Sequence, residues 1–297
     1  MTTSRRDFLK IMGLAGATGV GTLEVGAASA GQQGPSDHRM GVLVDTTVCI
    51  GCRRCEMACK EAHSIDPGPE SDYDNRNLFE TERRPIPSSL TVVNRYGKEP
   101  ASHVKMQCMH CDYPACVSAC IVGAFSKHEN GAVTWDSDKC IGCRYCMIAC
   151  PFQVPAFEYD KAIHPRITKC DFCIERTATG LKPACVATCP VEALTYGKRI
   201  DLARMAQERV ESDPDRYSPH IYGLHEVGGT SWMYLASRDL QNLAFPERSD
   251  RPAPGASEAV QHGIFKYFIP PLSLYALLGG VMWLGRKEST PGNGGES

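Results

Sequence analysis

Apolar positions fall into two long runs near the ends of the chain and a series of short runs between them. The first long run follows a basic start (Arg5, Arg6, Lys10) and continues through Gly- and Ala-rich sequence to Val25, before a small-residue exit at Ala28-Ser29-Ala30. Gly13, Gly16, Gly19, Gly21 and Gly26 weaken a helix there, and Glu24 interrupts its apolar face. Together these features describe a cleavable export signal over residues 1–30 rather than a buried helix. The second long run, Tyr267 to Leu284, contains no charged residue and is bracketed by Lys266 and Arg286-Lys287. As a helix it would extend ~27 Å, close to the thickness of one bilayer hydrocarbon core. Tyr267 and Trp283 stand where interfacial aromatics are expected. Pro270 and Pro271 fall in the first turn, where missing amide donors cost least. The pattern predicts a single transmembrane helix over residues 264–285 and a short tail over 286–297.

Between these ends the periodicity is that of short strands. Gly41-Val-Leu-Val44 reads as one strand. Gly123-Ala-Phe-Ser-Lys127 and Ala132-Val-Thr-Trp135 flank His128-Glu-Asn-Gly131 and read as a hairpin. Val191-Glu-Ala-Leu-Thr-Tyr196 reads as the strand that partners Gly41–Val44. The stretch from Lys60 to Gln107 is polar from Asp66 to Asn77 and has a candidate strand at Leu90-Thr-Val-Val93. Its length suits either a partner-docking element or a tolerated surface excursion. Short strands joined by single-turn helices give an α+β class.

Composition changes this picture in one respect. Of the 297 residues, 42% are hydrophobic and 22% charged, which excludes wholesale disorder. Lys+Arg of 32 against Asp+Glu of 34 leaves a net charge of −2, without the cationic surplus that phosphate backbones demand. Two long apolar runs are too few for a polytopic membrane protein. The outlier is cysteine, present 16 times in four groups of four. They are Cys49-x2-Cys52-x2-Cys55-x3-Cys59, Cys108-x2-Cys111-x4-Cys116-x3-Cys120, Cys140-x2-Cys143-x2-Cys146-x3-Cys150-Pro151 and Cys170-x2-Cys173-x11-Cys185-x3-Cys189-Pro190.

Groups one and three have the bacterial ferredoxin spacing, and group three its terminal proline as well. Three thiolates separated by two residues each can curl a loop around an iron–sulfur cubane, with backbone amides turned toward the sulfurs. The fourth cysteine, expected near the start of a helix pointing away, reaches a second cluster. A disulfide framework would suit an exported chain, but such scaffolds are usually under ~80 residues. Four structural zinc sites share the CxxC pairs, though not the third and fourth cysteines packed so closely behind them. Covalent haem requires C-x-x-C-H, and no cysteine here is followed by histidine.

The four groups, in this order and with these spacings, resemble the four-cluster ferredoxin-type iron–sulfur subunits of membrane-bound redox enzymes. That family includes the electron-transfer subunits of dimethyl sulfoxide reductase, formate dehydrogenase-N, tetrathionate reductase and hydrogenase-2. The resemblance runs from about Met40 to Gly197 and includes Lys105-Met-Gln-Cys-Met-His-Cys111 and Cys140-Ile-Gly-Cys-Arg-Tyr-Cys-Met-Ile-Ala-Cys-Pro-Phe152. It implies four [4Fe–4S] clusters with interleaved ligands. Cys49, Cys52, Cys55 and Cys189 would hold one cluster, and Cys59, Cys170, Cys173 and Cys185 its neighbour. Cys108, Cys111, Cys116 and Cys150 would hold the third, and Cys120, Cys140, Cys143 and Cys146 the fourth. The implied fold is two bacterial-ferredoxin-like units within residues 40–200, the contiguous unit at 108–157 being inserted in the other, with residues 201–262 as a C-terminal extension. Lys60 and Ile121 stand where proline follows the last cysteine elsewhere, a departure that spares the ligands.

Arg5-Arg6 followed by Phe8-Leu9-Lys10 resembles the twin-arginine export signal, which serves proteins exported already folded. With a C-terminal anchor as well, the chain resembles the hydrogenase-2 type more than the unanchored dimethyl sulfoxide reductase type. Pro219-His-Ile-Tyr-Gly223 and Val227-Gly-Gly-Thr230 agree with that, although formate dehydrogenase subunits have a related Gly-Gly-Thr stretch. The implied partners are a periplasmic catalytic subunit, with hydrogenase first and a molybdenum- or tungsten-pterin enzyme second, and a quinone-reactive subunit in the inner membrane. Arg53, Arg54, Lys139 and Arg144 lie beside candidate ligands, where positive charge would raise a cluster's potential unless it is simply solvated. His110 reads as a loop residue rather than a ligand. No catalytic triad, phosphate loop or spaced carboxylate pair stands out, so no catalytic residue is assigned.

Overall fold

The computed structural model describes residues 38–97, 101–240, 244–255 and 269–286. The predicted export signal, the first residues of the predicted anchor (264–268) and the tail after residue 286 lie outside the described residues. The body and the C-terminal helix are separate units.

The strands, in chain order, are β1 (Met40–Asp45), β2 (Val92–Tyr96), β3 (Ser102–Met106), β4 (Phe125–Lys127), β5 (Val133–Trp135), β6 (Ala156–Phe157), β7 (Ile167–Thr168), β8 (Leu194–Lys198) and β9 (Trp232–Leu235). The α-helices are α1 (Arg54–Ala62), α2 (Ala115–Ser118), α3 (Tyr145–Ala149), α4 (Ile174–Ala178), α5 (Ala184–Ala187), α6 (Arg199–Ser212) and α7 (Ile269–Arg286). Four of them have five residues or fewer, too short to persist without the packing around them.

The main sheet has the order β8-β1-β9. β1 pairs antiparallel with β8, from Met40 opposite Lys198 to Val44 opposite Leu194, the partnership that the apolar runs predict. Its other edge pairs in parallel with β9, from Val42 opposite Trp232 to Asp45 opposite Leu235. With both edges and both faces covered, a strand is free to be apolar throughout, and Val42, Leu43 and Val44 are all buried. Side chains alternate between the faces. Leu43, Met233 and Leu235 pack with Leu202 and Ala206 of α6. Val42, Val44, Trp232 and Tyr234 form the opposite core together with Cys111, Phe172 and Cys185. The sheet is therefore a wall with a helix behind it and the cysteines in front.

Three features differ from the expectations or extend them. The segment read as a C-terminal extension supplies the central sheet's third strand, because Trp232-Met-Tyr-Leu235 is a continuous buried run. The stretch from Lys60 to Gln107 is not an excursion as a whole. β2 and β3 form a hairpin, Val92 opposite Met106, whose Val92, Val93 and Val104 are buried. The strand starts two residues after the expected Leu90. Only the preceding part, with 3-10 turns at Glu70–Tyr73 and Arg76–Phe79, is largely exposed, as its polar composition requires. The hairpin β4–β5 matches its prediction, with Phe125 opposite Trp135 and Lys127 opposite Val133.

α7 covers 18 residues, most of the predicted anchor, and its Leu274, Tyr275, Leu278, Val281 and Met282 are exposed. No helix among the described residues is long and apolar enough to cross a membrane. α7 has the length, but Pro270, Pro271, three glycines and Arg286 dilute its apolar content.

Candidate metal centre

Two cysteine loops share one backbone conformation. Gly51 and Gly142 have φ of +67° and +69°, and Arg53 and Arg144 both have φ of +60°. The Cys-Ile-Gly-Cys-Arg sequence thus repeats the same turns, and glycine is required because an L side chain is strained there. At Gly51 a Cβ would also lie 2.3 Å from the His103 ring. Such alternation of positive and negative φ turns successive amides into a concavity suited to anionic sulfur. Each left-handed arginine starts a helix directly, α1 after Arg53 and α3 after Arg144. This places the fourth cysteine otherwise than expected. Cys59 lies within α1 and Cys150 caps the end of α3, so third and fourth cysteines are successive turns of one helix. Groups two and four repeat the arrangement, with Cys116 in α2 and Cys185 in α5 ahead of Cys120 and Cys189.

All sixteen cysteines are free thiols, without a disulfide among them. Burial raises the Cys49 pKa to about 11, and Cys189 and Cys52 add to the rise. Cys49, Cys52, Cys55 and Cys189 also line one small apolar cavity. Burial, then the nearby Cys59, pushes the Cys170 pKa well up, and Cys173 contributes further. Cys185 is raised by burial and by Cys59. For Cys111 burial leads, followed by Cys150, Cys108 and Cys116. For Cys146, raised to about 11, burial is followed by Cys140, Cys143 and Cys120. Thiols far apart in sequence thus act on one another. Cysteines of different expected sets also lie close together. Cys55 feels Cys185, Cys108 and Cys170 share one apolar cluster, and Cys116 feels Cys146. Cys143, in the last set, is the exposed member.

Several groups around these thiols suit an iron–sulfur cluster. Backbone amides donate to sulfur from Ala124 to Cys120 at 3.2 Å, from Gly142 to Cys140 at 3.4 Å and from Phe172 to Cys170 at 3.4 Å. Such bonds favour the thiolate over the thiol that burial alone would enforce. Trp135 packs in the cluster that contains Cys116, Cys120, Cys140 and Cys146, and its buried indole N–H has no protein partner. His110 is wholly buried, its Nδ1 accepting from the Val133 amide at 2.9 Å. The ring proton therefore sits on Nε2, which likewise has no protein partner. Burial, then the charges of Lys169, Lys127 and Lys105, hold its pKa well below the ordinary value and keep it neutral. Unsatisfied buried donors of this kind fit an acceptor such as bridging sulfide.

The charged residues that the sequence places beside the ligands have separate fates. Arg53 is buried, and its Nη1 donates to the carbonyls of Asp72 at 2.9 Å and Asn75 at 3.4 Å, tying the exposed turns to the first cysteine loop. Arg54 pairs at the surface with Glu70, and Lys139 with Asp136. Arg144 lies over the Phe157 and Tyr159 rings. The sequence reading passes over His63, whose Nε2 meets Asp171 at 2.8 Å and whose Nδ1 meets the Cys59 carbonyl at 2.7 Å. The Asp171 carboxylate, followed by Cys59, raises its pKa to about 11. Two buried lysines adjoin the cysteine groups as well: Lys105 opens the stretch that runs to Cys111 and Lys169 directly precedes Cys170, but spacing does not distinguish a buried cation from a solvated one.

Mixed strands and helices around sixteen free thiols in fours define a ferredoxin-like 4Fe–4S protein. Residues 101–199 match the 4Fe-4S dicluster domain family. The hydrogenase-2 operon protein HybA of Escherichia coli is 33% identical, with 96% of this chain and 96% of HybA covered. The formate dehydrogenase-O iron–sulfur subunit of Escherichia coli is 34% identical, with 81% of each chain covered. A protein of Nitratidesulfovibrio vulgaris is 49% identical over 78% of this chain, which spans 64% of that relative's length. The chain belongs to the family of iron–sulfur electron-transfer subunits that includes HybA and the formate dehydrogenase iron–sulfur subunits.

Proposed function

We propose that this chain relays electrons through four [4Fe–4S] clusters, between a periplasmic catalytic subunit and a quinone-reactive membrane subunit of a respiratory complex. The observation that carries the reading is that thiols remote in sequence act on one another, as Cys49 and Cys189, Cys59 and Cys170, and Cys111 and Cys150 do. In this reading Cys49, Cys52, Cys55 and Cys189 form set one, and Cys59, Cys170, Cys173 and Cys185 form set two. Cys108, Cys111, Cys116 and Cys150 form set three, and Cys120, Cys140, Cys143 and Cys146 form set four. Sets three and four belong to a ferredoxin unit at 108–157 inserted in the outer one. The bound clusters would supply one-electron exchange at iron. The chain's own residues present the thiolates, aim amide and ring N–H groups at sulfur, and exclude water from sets two and three, where most of the cysteines are buried.

Hydrogenase is the first choice of catalytic partner, supported by the coverage of 96% of both chains in the HybA alignment. A molybdenum- or tungsten-pterin enzyme is the second, supported by the formate dehydrogenase-O relationship. Metal analysis of the complex that co-purifies with this chain from gently solubilised membranes separates them. Stoichiometric nickel is the expected result; molybdenum or tungsten without nickel transfers the assignment to the pterin enzyme.

The twin-arginine reading places the folded body in the periplasm, tethered by one C-terminal anchor with its tail on the cytoplasmic side. Support comes from Arg5-Arg6, the Ala28-Ser29-Ala30 exit and the uncharged run from Tyr267 to Leu284. Replacing Arg5 and Arg6 together with lysine should leave the protein in the cytoplasm, read by fractionation. Unimpaired export of that variant refutes the twin-arginine assignment.

A further inference from the structure

We propose that Lys105 and Lys169 are internal counter-cations of the cluster line, each seated between two adjacent thiol sets and raising the potentials of the clusters on either side. The proposal rests on the four-cluster reading given above. Lys105 is 3% exposed and Lys169 7%. Lys105 Nζ donates to Thr91 Oγ1 at 2.7 Å and Gln107 Oε1 at 2.9 Å, and lies 4.6 Å from the Trp232 ring centroid. Lys169 Nζ donates to the carbonyls of Val133 and, at 2.9 Å, Cys170. Every one of these acceptors is neutral. A buried ammonium is strongly disfavoured unless a counter-charge lies close by, and among the described residues neither lysine is ion-paired with a carboxylate. Asp171, two residues beyond Lys169, adds to the charge around it but is bonded to His63 at 2.8 Å. Lys127 shows the contrast, lying 4.0 Å from the Asp112 carboxylate.

What surrounds Lys105 and Lys169 instead is sulfur. Lys105 lines the cavity formed by Cys49, Cys52, Cys55 and Cys189, which is set one. It also acts on Cys170 and Cys185 of set two. Lys169 precedes Cys170 of set two and acts on Cys108 and Cys116 of set three. A thiolate-held cubane is anionic, and more so when reduced, so a fixed cation in a low-dielectric interior favours the reduced form. Among the described residues no buried lysine is among the leading groups that act on Cys146 of set four, and Lys139, beside Cys140, is exposed and paired with Asp136. Set four is therefore the built-in control.

The test is potentiometric EPR titration of the purified full-length holoprotein bearing Lys105→Met, Lys169→Met or the arginine equivalents. Lys105→Met should lower the potentials of the clusters of sets one and two by at least tenfold in the one-electron reduction equilibrium, ~59 mV. Lys169→Met should do the same for sets two and three. Set four should stay put in both, and Lys→Arg should restore the parent values. Unchanged potentials at full iron content, or an equal shift of all four clusters, overturn the proposal. If the methionine variants lose iron, Lys105→Gln and Lys169→Gln serve in their place. Iron loss from the methionine and glutamine variants but not from arginine supports a charge role; loss from arginine as well overturns it. A parent protein holding fewer than four clusters refutes the underlying reading instead, before any lysine is changed.

Discussion

Cys189→Ala should remove the set-one cluster, although Cys189 lies well over a hundred residues beyond Cys49, Cys52 and Cys55. Cys189 is among the thiols that raise the Cys49 pKa, and all four line one cavity. A cubane that loses one of its four ligands in a cavity lined by apolar side chains has no replacement thiol, so the expected outcome is a fall of about one quarter in bound iron. The informative comparison is Cys185→Ala. Cys185 lies in α5 and Cys189 just beyond its end, yet Cys185 neighbours Cys59 rather than Cys49. The two variants should therefore extinguish different EPR signals, one from each end of the outer pair of sets. Loss of the same signal in both would mean that the interleaving is wrong and that each cysteine group closes on its own cluster.

The cysteine loops are open to sequence reasoning because iron–sulfur loops impose a short-range rule. Cys-x2-Cys spacing, a glycine at φ near +68° and an arginine in the left-handed region follow from wrapping a loop around one object, so Gly51-Cys-Arg53 and Gly142-Cys-Arg144 look alike in sequence and in backbone. Strands β1, β4 and β5 were legible for the ordinary reason that their apolar runs are bounded by turn residues. What escaped detection depends on partners remote in sequence. Trp232-Met-Tyr-Leu235 is apolar whether it lies in a sheet or a loop, and only pairing with Val42–Asp45 makes it the third strand. Nothing in the sequence around Lys105 signals that Trp232, Thr91 and Gln107 close over it. Spacing alone puts the fourth cysteines near a helix start, because it gives distance and not direction. The helices begin one turn earlier, as soon as Arg53 and Arg144 reverse the chain. Sequence proximity to a ligand also proved a poor guide to charge: Arg53 is a buried tie to the turns at Asp72 and Asn75, whereas Lys139 remains at the surface.

Glu56 is the residue outside the cysteines whose removal should weaken the body most. It is 2% exposed on α1, next to Cys55, and its carboxylate serves three elements at once. Arg83 meets it with two bonds, at 2.6 and 3.1 Å, the Val93 amide of β2 donates to it at 2.6 Å, and Arg53 Nε lies 3.5 Å away. Through these contacts the β2–β3 hairpin is fastened to the helix that carries Cys55 and Cys59. Glu56→Ala takes the counter-charge from two largely buried guanidinium groups, which keep only the carbonyls of Val93, Asp72 and Asn75, and the acceptor from one strand amide, a change of the kind that costs about 3–5 kcal/mol. Whole domains are stable by only ~5–15 kcal/mol, so the loss is a large fraction of the total. Cluster proteins unfold irreversibly once iron escapes, so the fitting readout is the apparent Tm at a fixed scan rate together with bound iron. A drop of about ten degrees is expected for a chain of this size. Glu56→Gln keeps the acceptor oxygen for Val93 but discards the charge, and should fall between parent and alanine variant. An alanine variant that melts within a degree or two of the parent would show that the hairpin is held by Val92, Val93 and Val104 alone, and that the carboxylate's attraction for the two arginines is spent on its own desolvation.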